Sequence, residues 1–381
     1  MVKIAKRLDM FPEYVHARFA KIVAEVEKKS GRKVKNLGIG SPDILPSALY
    51  VKKLQELLEA PDAHLYPGYR GIPEFNKAIC GWYARRFDVS IAEDEIMPLL
   101  GSKDGIAHLP LAIADPGDEV LVPNPGYPAF VGPALMYGAT IVSYDLLAEN
   151  NFKISIKELE KKITPKTMCI WVNYPSNPTG ATISLEELTD IVALAKRHDV
   201  LIAYDNAYSE ITFDGYVAPS IFQVPGAKDC AVELFSFSKT FSFAGYRMGW
   251  IAGNKKVVDV LAKVKSQTDS GMTLPLQRLG AYALNHTDIE WHKKMLATYK
   301  ERRDIITKKL RTLGLEFKIP KASLYIWAKI PDSAKNSEDF CMKILQEKNV
   351  LLTPGSAFGS NGDRYVRASI CVNVDDLDEY L

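Results

Sequence analysis

The chain has few of the residues from which metal sites and disulfide frameworks are built. Its five cysteines lie singly along 381 residues without a CxxC pair, and its six histidines form neither an HxxxH nor an HExxH pair. A zinc site or a disulfide framework would need such paired side chains. Cys169 and Cys371 lie in apolar runs typical of buried free thiols. We therefore predict a metal-free protein of a reducing compartment.

Long apolar runs and an excess of one charge are also missing. No stretch approaches the ~18 apolar residues that a membrane span requires, and the N-terminus has no apolar signal core. The 48 basic and 46 acidic residues give a net charge of +2, which offers no electrostatic footprint for nucleic acid or an anionic membrane. The sequence therefore predicts a cytoplasmic protein whose partner is a small molecule, not a nucleic acid or a membrane.

Short apolar runs rich in branched residues alternate with longer amphipathic stretches. The stretch 184–198, for example, has its apolar residues on one helical face. Such alternation predicts a wound α/β sheet with helices on both faces, in which buried strands are nearly continuous apolar runs. We predict strands at residues 96–100, 119–122, 140–144, 168–172, 200–204, 233–237 and 248–252.

The last third of the chain has a different pattern. Residues 280–312 are helical and heavily charged, and strand-like runs follow at 315–319, 325–328, 350–353 and 365–370. This predicts a small α+β domain built on a long connecting helix. We divide the chain into an N-terminal segment (1–45), a large domain (46–284) and a small C-terminal domain (285–381). The segment is too short to fold alone, so we expect it to pack on the small domain or a partner subunit.

The first candidate site residues follow the first two predicted strands, at the strand ends where a wound sheet binds ligands. Gly101 and Ser102 open a helical stretch, whose free N–H groups, positive dipole end and Ser102 hydroxyl can bind a phosphate. Helix capping by Ser102 is the alternative. A turn rich in proline then presents Tyr127, which can stack on a flat heteroaromatic ring or pack in the core.

Polar side chains follow the next strands. Asn177 lies among turn-forming residues after the strand at 168–172, and Asp205 directly follows the strand at 200–204. A carboxylate at the end of a buried strand is costly unless it is paired, and a protonated pyridine nitrogen would be a suitable partner. A plain Asn-Pro turn and a helix N-cap are the alternatives for these two residues.

Lys239 lies in the segment SFSKTFSFAGYR, residues 236–247. A desolvated amine has a lowered pKa and becomes a nucleophile toward a carbonyl, and the aromatic neighbours make a solvated surface lysine a poor alternative. Arg247 offers a bidentate fork for phosphate. Successive strand ends thus supply a phosphate cradle, a stacking ring, an acid for a ring nitrogen and a nucleophilic amine.

Residues 236–247 resemble the cofactor-lysine motif of class I/II (fold-type I) aminotransferases, which use pyridoxal 5'-phosphate (PLP). Residues 173–180 and 204–208 resemble two further signatures, and the likeness extends from residue 37 to residue 367. It is closest to the branch with aspartate, aromatic and LL-diaminopimelate aminotransferases. The resemblance implies a mostly parallel seven-stranded sheet, a homodimer with its active site at the interface, and ping-pong transfer of an amino group between an L-amino acid and a 2-oxo acid.

The resemblance also implies a role for each matching residue. Lys239 carries PLP as a Schiff base and moves the Cα proton of the substrate, Asp205 keeps the pyridine nitrogen protonated, and Arg367 binds the substrate α-carboxylate. Gly40, through its backbone, and Asn177 assist at the substrate. The other implied cofactor contacts are Asn177 and Tyr208 at the ring O3′, Tyr127 on the ring face, Ser102, Lys103, Ser236 and Arg247 at the phosphate, and Tyr66 at the phosphate of the neighbouring subunit.

Two other functions remain open at this point. A PLP-dependent lyase of the same fold, such as an aminocyclopropane-carboxylate synthase or a cystathionine β-lyase, shares the lysine, the aspartate and the arginine. A PLP-binding regulator usually carries a fused DNA-binding domain, for which we expect no room before Leu37. The substrate side chain is not determined. Arg70 is a candidate second cation for a dicarboxylate, and a solvated surface arginine is the alternative.

Overall fold

The computed structural model of the chain describes residues 2–10 and 15–381. Helices and strands alternate along most of it. The α-helices are α1 (Val15–Ser30), α2 (Ala48–Leu58), α3 (Pro73–Phe87), α4 (Ser102–Ile113), α5 (Gly132–Met136), α6 (Ile156–Glu160), α7 (Leu185–His198), α8 (Phe237–Thr240), α9 (Lys255–Lys265), α10 (Leu274–Asn285), α11 (Ile289–Thr312) and α12 (Ser337–Lys348). The strands are β1 (Lys35–Asn36), β2 (Ile96–Leu99), β3 (Glu119–Asn124), β4 (Thr140–Asp145), β5 (Thr167–Asn173), β6 (Leu201–Asp205), β7 (Ala231–Ser236), β8 (Gly249–Gly253), β9 (Tyr325–Lys329), β10 (Val350–Leu351), β11 (Thr353–Pro354) and β12 (Tyr365–Ser369).

The large sheet has seven strands in the order β2-β8-β7-β6-β5-β3-β4. Its strands run parallel except for β8, which is antiparallel to both β2 and β7. All seven predicted strands of the wound sheet are confirmed, with ends that shift by a few residues. The run predicted at 233–237 starts earlier, at Ala231, and ends at Ser236, because Phe237 begins helix α8.

Apolar side chains cover both faces of this sheet. In β6, Ile202 and Tyr204 belong to one apolar cluster, and Ala203 between them belongs to the cluster on the opposite face. Phe235 and Trp250 stack with ring centroids 4.1 Å apart on the first face. Such aromatic pairs contribute about 0.5–1.5 kcal/mol beyond their buried area. The continuous apolar runs in the sequence therefore mark strands that are buried on both sides.

Helix α7 shows how the sequence sets the helix ends. Ser184 and Glu187 form a reciprocal capping box at its start. This arrangement satisfies two backbone N–H groups that have no partner within the helix. Asp199, with φ 53°, ends the helix in the left-handed conformation. Because its apolar residues point to one side, the helix packs on the sheet as predicted.

The predictions for the C-terminal third need three corrections. The helical pattern at 280–312 is interrupted, because α10 ends at Asn285 and α11 begins only at Ile289. Asp288 caps α11 by accepting a hydrogen bond from the Trp291 N–H (3.0 Å). The run 315–319 forms no strand and makes only one bridge, between Glu316 and Lys329; Pro320, which follows it, has no N–H for a ladder. The run 350–353 divides into β10, paired with β1, and β11, paired with β12.

The N-terminal segment packs against the apolar cluster of the C-terminal third. Phe19 of α1 and Leu37 are buried there together with Leu345 of α12. Strand β1 pairs in parallel with β10, with Lys35 opposite Val350. Residues 37–40 continue from this pair toward the carboxyl edge of the large sheet, where Gly38 and Gly40 contact the candidate site. No helix in residues 2–10 and 15–381 is long and apolar enough to cross a membrane.

Candidate active site

A cavity of about 520 Å³ lies at the carboxyl ends of the parallel strands. Its walls come from the loops after β2, β3, β5, β6 and β7, from the N-terminal segment and from the C-terminal third. Eleven of the twelve predicted site residues line it, which brings positions far apart in the sequence into one site: Gly40, Ser102, Lys103, Tyr127, Asn177, Asp205, Tyr208, Ser236, Lys239, Arg247 and Arg367.

One end of the cavity is built from the start of α4. Gly101, with φ 82°, is the N-cap, and Ser102 is the first helical residue, so the alternative of Ser102 as the cap is wrong. Gly249 lets this turn approach the sheet, because a Cβ there would lie 2.9 Å from the Ser102 nitrogen. The Arg247 guanidinium donates to the carbonyls of Ala244 (2.8 Å) and Leu100 (3.4 Å). Free N–H groups at a helix start beside an arginine suit a phosphate.

The other end of the cavity contains Asp205, the last residue of β6. No helix follows it directly, so the alternative of a helix N-cap is wrong. The Asn173 amide donates to the Asp205 carbonyl (2.9 Å) and to its carboxylate Oδ2 (3.3 Å). Within the described residues, the buried Oδ1 has no hydrogen-bond donor. Burial raises the pKa of Asp205 to about 7, although the Ala207 N–H and the Lys239 charge lower it.

Asn177 and Arg367 lie together in the cavity wall. The Asn177 N–H donates to the Asn173 side-chain oxygen (2.8 Å), and its own Oδ1 accepts from Arg367 Nη1 (2.8 Å). Arg367 also donates to the Gly38 carbonyl (2.8 Å), and its guanidinium lies over the Tyr325 ring, 4.2 Å from the centroid. Asn177 is therefore fixed by more than an Asn-Pro turn. The buried Arg367 Nε has no partner among the described residues, so this arginine keeps a donor for an added anion.

Lys239 lies in the four-residue helix α8 and is partly buried. Its ammonium donates to the Gly40 carbonyl (3.1 Å) and lies 5.9 Å from the centroid of the Tyr208 ring. The aromatic neighbours in its segment do not surround the amine, contrary to our reason for singling it out. Phe237 and Phe241 are buried and pack on each other, with centroids 5.3 Å apart. These rings anchor α8 in the core, and the helix in turn points its lysine into the cavity.

Two predicted positions lie outside this cavity. Tyr66 is 88% exposed and is not part of the wall, so its predicted contact with a neighbouring subunit stays a prediction. Arg70 donates to the Val258 carbonyl (3.2 Å) and forms an ion pair with Asp259. The hypothesis that Arg70 serves as a second cation in the pocket is therefore wrong for the cavity of its own chain, because helix α9 binds its guanidinium.

Two residues of the site had no role in the sequence-based prediction. Asn173, in register with Asp205 on the neighbouring strand, holds both Asp205 and Asn177. The strand-end rule could have found it, because it directly follows the strand predicted at 168–172. Tyr325 lines the cavity, with its hydroxyl 3.2 Å from the Tyr208 hydroxyl. No motif marks Tyr325, which comes from β9 in a different part of the fold.

A second buried carboxyl lies on β7, the strand next to the one that ends at Asp205. Glu233 of β7 is fully buried and accepts hydrogen bonds from the amide of Asn206 (2.7 Å) and the hydroxyl of Ser220 (2.5 Å). Burial raises the pKa of Glu233 to about 7, although the hydrogen bonds from Ser220 and Asn206 lower it. Glu233 lies opposite Tyr204 of β6 and is not among the residues that line the cavity.

We predict that Glu233→Gln reduces the pH dependence of stability in the cofactor-free protein. With a folded pKa of about 7 against 4.5 for the free side chain, the folded state binds more protons between these values. Stability therefore falls as pH rises from about 5 to about 7, by up to about 1.4 kcal/mol per pH unit for this group. Urea unfolding at several pH values measures the slope. The exposed Glu301→Gln is the control, and equal slopes for both variants would contradict the prediction.

The comparisons with known proteins agree with this geometry. Residues 32–381 match the family model described as aminotransferase class I and II. The chain is 41% identical over 377 residues to the glutamate-pyruvate aminotransferase AlaC of Escherichia coli, covering 97% of this chain and 90% of that protein. It is 37% identical to an LL-diaminopimelate aminotransferase of Dehalococcoides mccartyi, covering 99% and 97%. The structure of apo-BacF from Bacillus subtilis superposes with a TM-score of 0.94 at 32% identity, covering 100% and 97%.

The chain therefore belongs to the class I and II aminotransferase family, and its fold is that of the fold-type I enzymes. Members of this family depend on PLP, and the named relatives transfer amino groups. The protein is accordingly a PLP-dependent aminotransferase, which confirms the prediction. Its relatives give no support to the lyase alternative.

The residues of the cavity fit PLP. Asp205 Oδ1 lacks a donor within the described part of the chain, and a protonated pyridine nitrogen would supply one. The free N–H groups at the start of α4 and the exposed Arg247 suit the phosphate. The amine of Lys239 opens into the same cavity and suits the aldehyde. A donor for the phosphate, an amine for the aldehyde and an acceptor for the ring nitrogen are thus present in one cavity.

Proposed function

We propose that Lys239 is the catalytic lysine and that Asp205, Arg247 and Arg367 hold the cofactor and the substrate. The observation that carries this proposal is that an amine, a buried carboxylate and two arginines from four separate chain segments face one cavity. Bound PLP supplies a protonated pyridine ring that withdraws electrons from the Cα–H bond of the substrate. The remaining chemistry depends on residues of the chain.

Asp205 and its neighbours set the position and the charge at the ring end of the site. Ionised Asp205 would accept a hydrogen bond from the protonated pyridine nitrogen, and Asn173 keeps the carboxylate oriented through its amide. Asn177 and Tyr208 would hold the ring hydroxyl, and Tyr127 would pack on the ring; all three line the cavity. At the opposite end, Ser102, Lys103, Ser236 and Arg247 would hold the phosphate.

Arg367 fixes the substrate so that the correct bond breaks. Its guanidinium is held by Asn177 and the Gly38 carbonyl and stacks on Tyr325, so it offers its remaining donors in one direction to the α-carboxylate. A carboxylate fixed there would limit the directions in which the Cα–H bond can point. The Lys239 amine would take this proton from Cα and deliver it to the cofactor, and in the reverse half of the ping-pong cycle it would return a proton to Cα.

For the substrate, we propose a small 2-amino acid and 2-oxo acid pair, with L-alanine and pyruvate as one such pair. The centroid of the Phe358 ring lies 4.6 Å from Arg367 Cζ, and Ile39 lines the same cavity. The other cations in the described wall are Lys103, Lys239 and Arg247, which the cofactor occupies in this proposal. This environment favours a short apolar side chain. The printed name of the Escherichia coli relative, a glutamate-pyruvate aminotransferase, agrees with pyruvate as acceptor.

We also propose a cytoplasmic homodimer whose two sites lie at the subunit interface, with the three chain regions predicted from the sequence. Large apolar side chains are exposed at Leu45 (81%), Leu58 (60%), Leu65 (53%) and Tyr66 (88%). Exposed large apolar residues that form one patch are typical of a protein interface. In the proposed dimer Tyr66 would reach the phosphate of the neighbouring subunit, as the family resemblance implies.

The experiment that tests the proposed function is a half-reaction screen. The PLP-loaded protein is mixed with single amino acids, and the visible spectrum of the bound cofactor is recorded. We expect L-alanine to change the spectrum and to yield pyruvate in the supernatant. A change with glutamate or LL-diaminopimelate but none with L-alanine would contradict the substrate proposal. No change with any amino acid would contradict the proposed site.

A further inference from the structure

A buried lysine outside the cavity binds the first turn of α4. The Lys265 side chain, at the end of α9, is only 1% exposed, and its ammonium donates to Asp104 Oδ2 and Asp269 Oδ2 at 2.5 Å each. The Asp104 side chain is 7% exposed and the Asp269 side chain 19%. A buried charge is retained only where it is paired. Asp104, Lys265 and Asp269 therefore form a buried ion-pair triad in which the charge of the lysine is compensated.

Asp104 gives this triad its connection to the site. It follows Ser102 and Lys103 in the same helical turn, and both of these residues line the cavity. Its Oδ2 accepts the N–H of Leu100 (2.9 Å), and its Oδ1 contacts His108 Nδ1 (2.8 Å). Asp104 thus closes the turn from residue 100 to residue 104, from which the free N–H groups face the proposed phosphate.

Two further hydrogen bonds complete the network around Lys265 and Leu100. Asp269 is fixed in turn by the Gly271 N–H, which donates to its Oδ1 (2.8 Å). The Leu100 carbonyl accepts from Arg247 Nη2 (3.4 Å). The turn is therefore held at the Leu100 N–H by Asp104 and at the Leu100 carbonyl by Arg247.

Asp104 is negatively charged, so its pairing with Lys265 affects how well the nearby helix start can bind an anion such as phosphate. Burial would raise the pKa of Asp104, but the hydrogen bond with His108 and the charge and hydrogen bond of Lys265 outweigh it, so the pKa is lowered. An ionised carboxylate therefore lies in the same helical turn as the proposed phosphate contacts. Without Lys265 its negative charge would oppose phosphate binding at short range.

We propose that Lys265 is a positioning residue for cofactor binding, which holds Asp104 so that the start of α4 keeps its phosphate-binding geometry and its positive potential. This inference rests on the proposed function, because it assumes the phosphate at Ser102 and Arg247. Lys265 touches neither cofactor nor substrate; it acts through Asp104.

The test compares the affinity of the cofactor-free protein for PLP and for pyridoxal, which lacks the phosphate. We expect Lys265→Met to weaken PLP binding by at least about tenfold, the size typical of outer-shell supports of a bound group, and to leave pyridoxal binding nearly unchanged. Lys263→Met, an exposed lysine on the same helix, is the matched control. Adding Asp104→Asn to Lys265→Met removes the unpaired charge, so part of the preference for PLP should return.

Each outcome decides a different point. If Lys265→Met keeps the same ratio of PLP to pyridoxal affinity as Lys263→Met, the inference is wrong. If the unmodified protein does not prefer PLP to pyridoxal, the proposed phosphate site itself is wrong. Should Lys265→Met fail to fold, Asp269→Asn removes one partly exposed partner of the lysine. We expect a smaller loss of phosphate preference in that variant, and an unchanged ratio would overturn the inference.

Discussion

Replacing Lys239 with alanine is expected to abolish amino transfer, lowering kcat by at least about 10⁴-fold. In the proposed site, the variant loses both the amine that would anchor the cofactor and the base that would take the Cα proton. The other cations in the described wall are Lys103 and Arg247, which we assign to the phosphate, and Arg367, which we assign to the substrate carboxylate. None of these cations can take the place of the Lys239 amine, which donates to the Gly40 carbonyl (3.1 Å).

The Lys239→Ala measurement needs a readout for folding and for cofactor binding. PLP released by alkali from the purified variant shows whether the phosphate end still binds, and we expect bound cofactor without turnover. Lys263→Ala, an exposed lysine of α9, is the control and should retain full activity. Turnover in Lys239→Ala above about 1% of the unmodified enzyme would show that another group performs the proton transfer.

Asp205→Asn is expected to lower kcat by roughly 10²- to 10³-fold, the loss typical of removing one preorganised electrostatic partner of a reacting group. Asparagine keeps the volume of the side chain, and its carbonyl oxygen still accepts the hydrogen bond from Asn173. It carries no negative charge, so it does not hold a proton on the pyridine nitrogen. The buried Oδ1 of Asp205 has no donor among the described residues. We therefore expect the substitution to weaken mainly the interaction with the cofactor ring.

Steady-state kinetics with L-alanine, together with the affinity for PLP, measure this effect. Phosphate contacts at Ser102 and Arg247 are unchanged in Asp205→Asn, so we expect kcat to fall much more than PLP binding. The exposed Asp199→Asn at the end of α7 is the control, because asparagine also tolerates the left-handed conformation there. A fall in kcat of less than about threefold would contradict the assignment of Asp205.

Two regularities of parallel sheets explain why most of the fold and site was predictable from the sequence. Strands buried on both faces leave continuous apolar runs, and parallel strands bring their following residues to one edge. Asp205 and Asn177, which are 28 positions apart, therefore could be placed together without coordinates. Tyr325 could not, because it reaches the cavity from β9 through the packing of the C-terminal third. Lys265 could not either, since its partner Asp104 is 161 residues away and only tertiary contact joins them.

The failed predictions share a cause, which is that local pattern does not specify tertiary partners. Arg70 follows a motif that the family resemblance connects with the site, yet its ion pair with Asp259 holds it on α9. The run 315–319 has strand-like composition but finds only one bridge, at Glu316. The break before α11 depends on Asp288, whose N–H also binds the Tyr50 hydroxyl (2.7 Å) from a distant helix.

The central claim is that Lys239 holds the cofactor, and one measurement tests it most directly. The PLP-loaded protein is reduced with borohydride, digested and analysed by mass spectrometry to find the lysine that carries the added cofactor mass. We predict that the modified peptide contains residues 236–247 with the label on Lys239, and that prior incubation with L-alanine prevents labelling. A label on any other lysine, or none at all, would contradict the account.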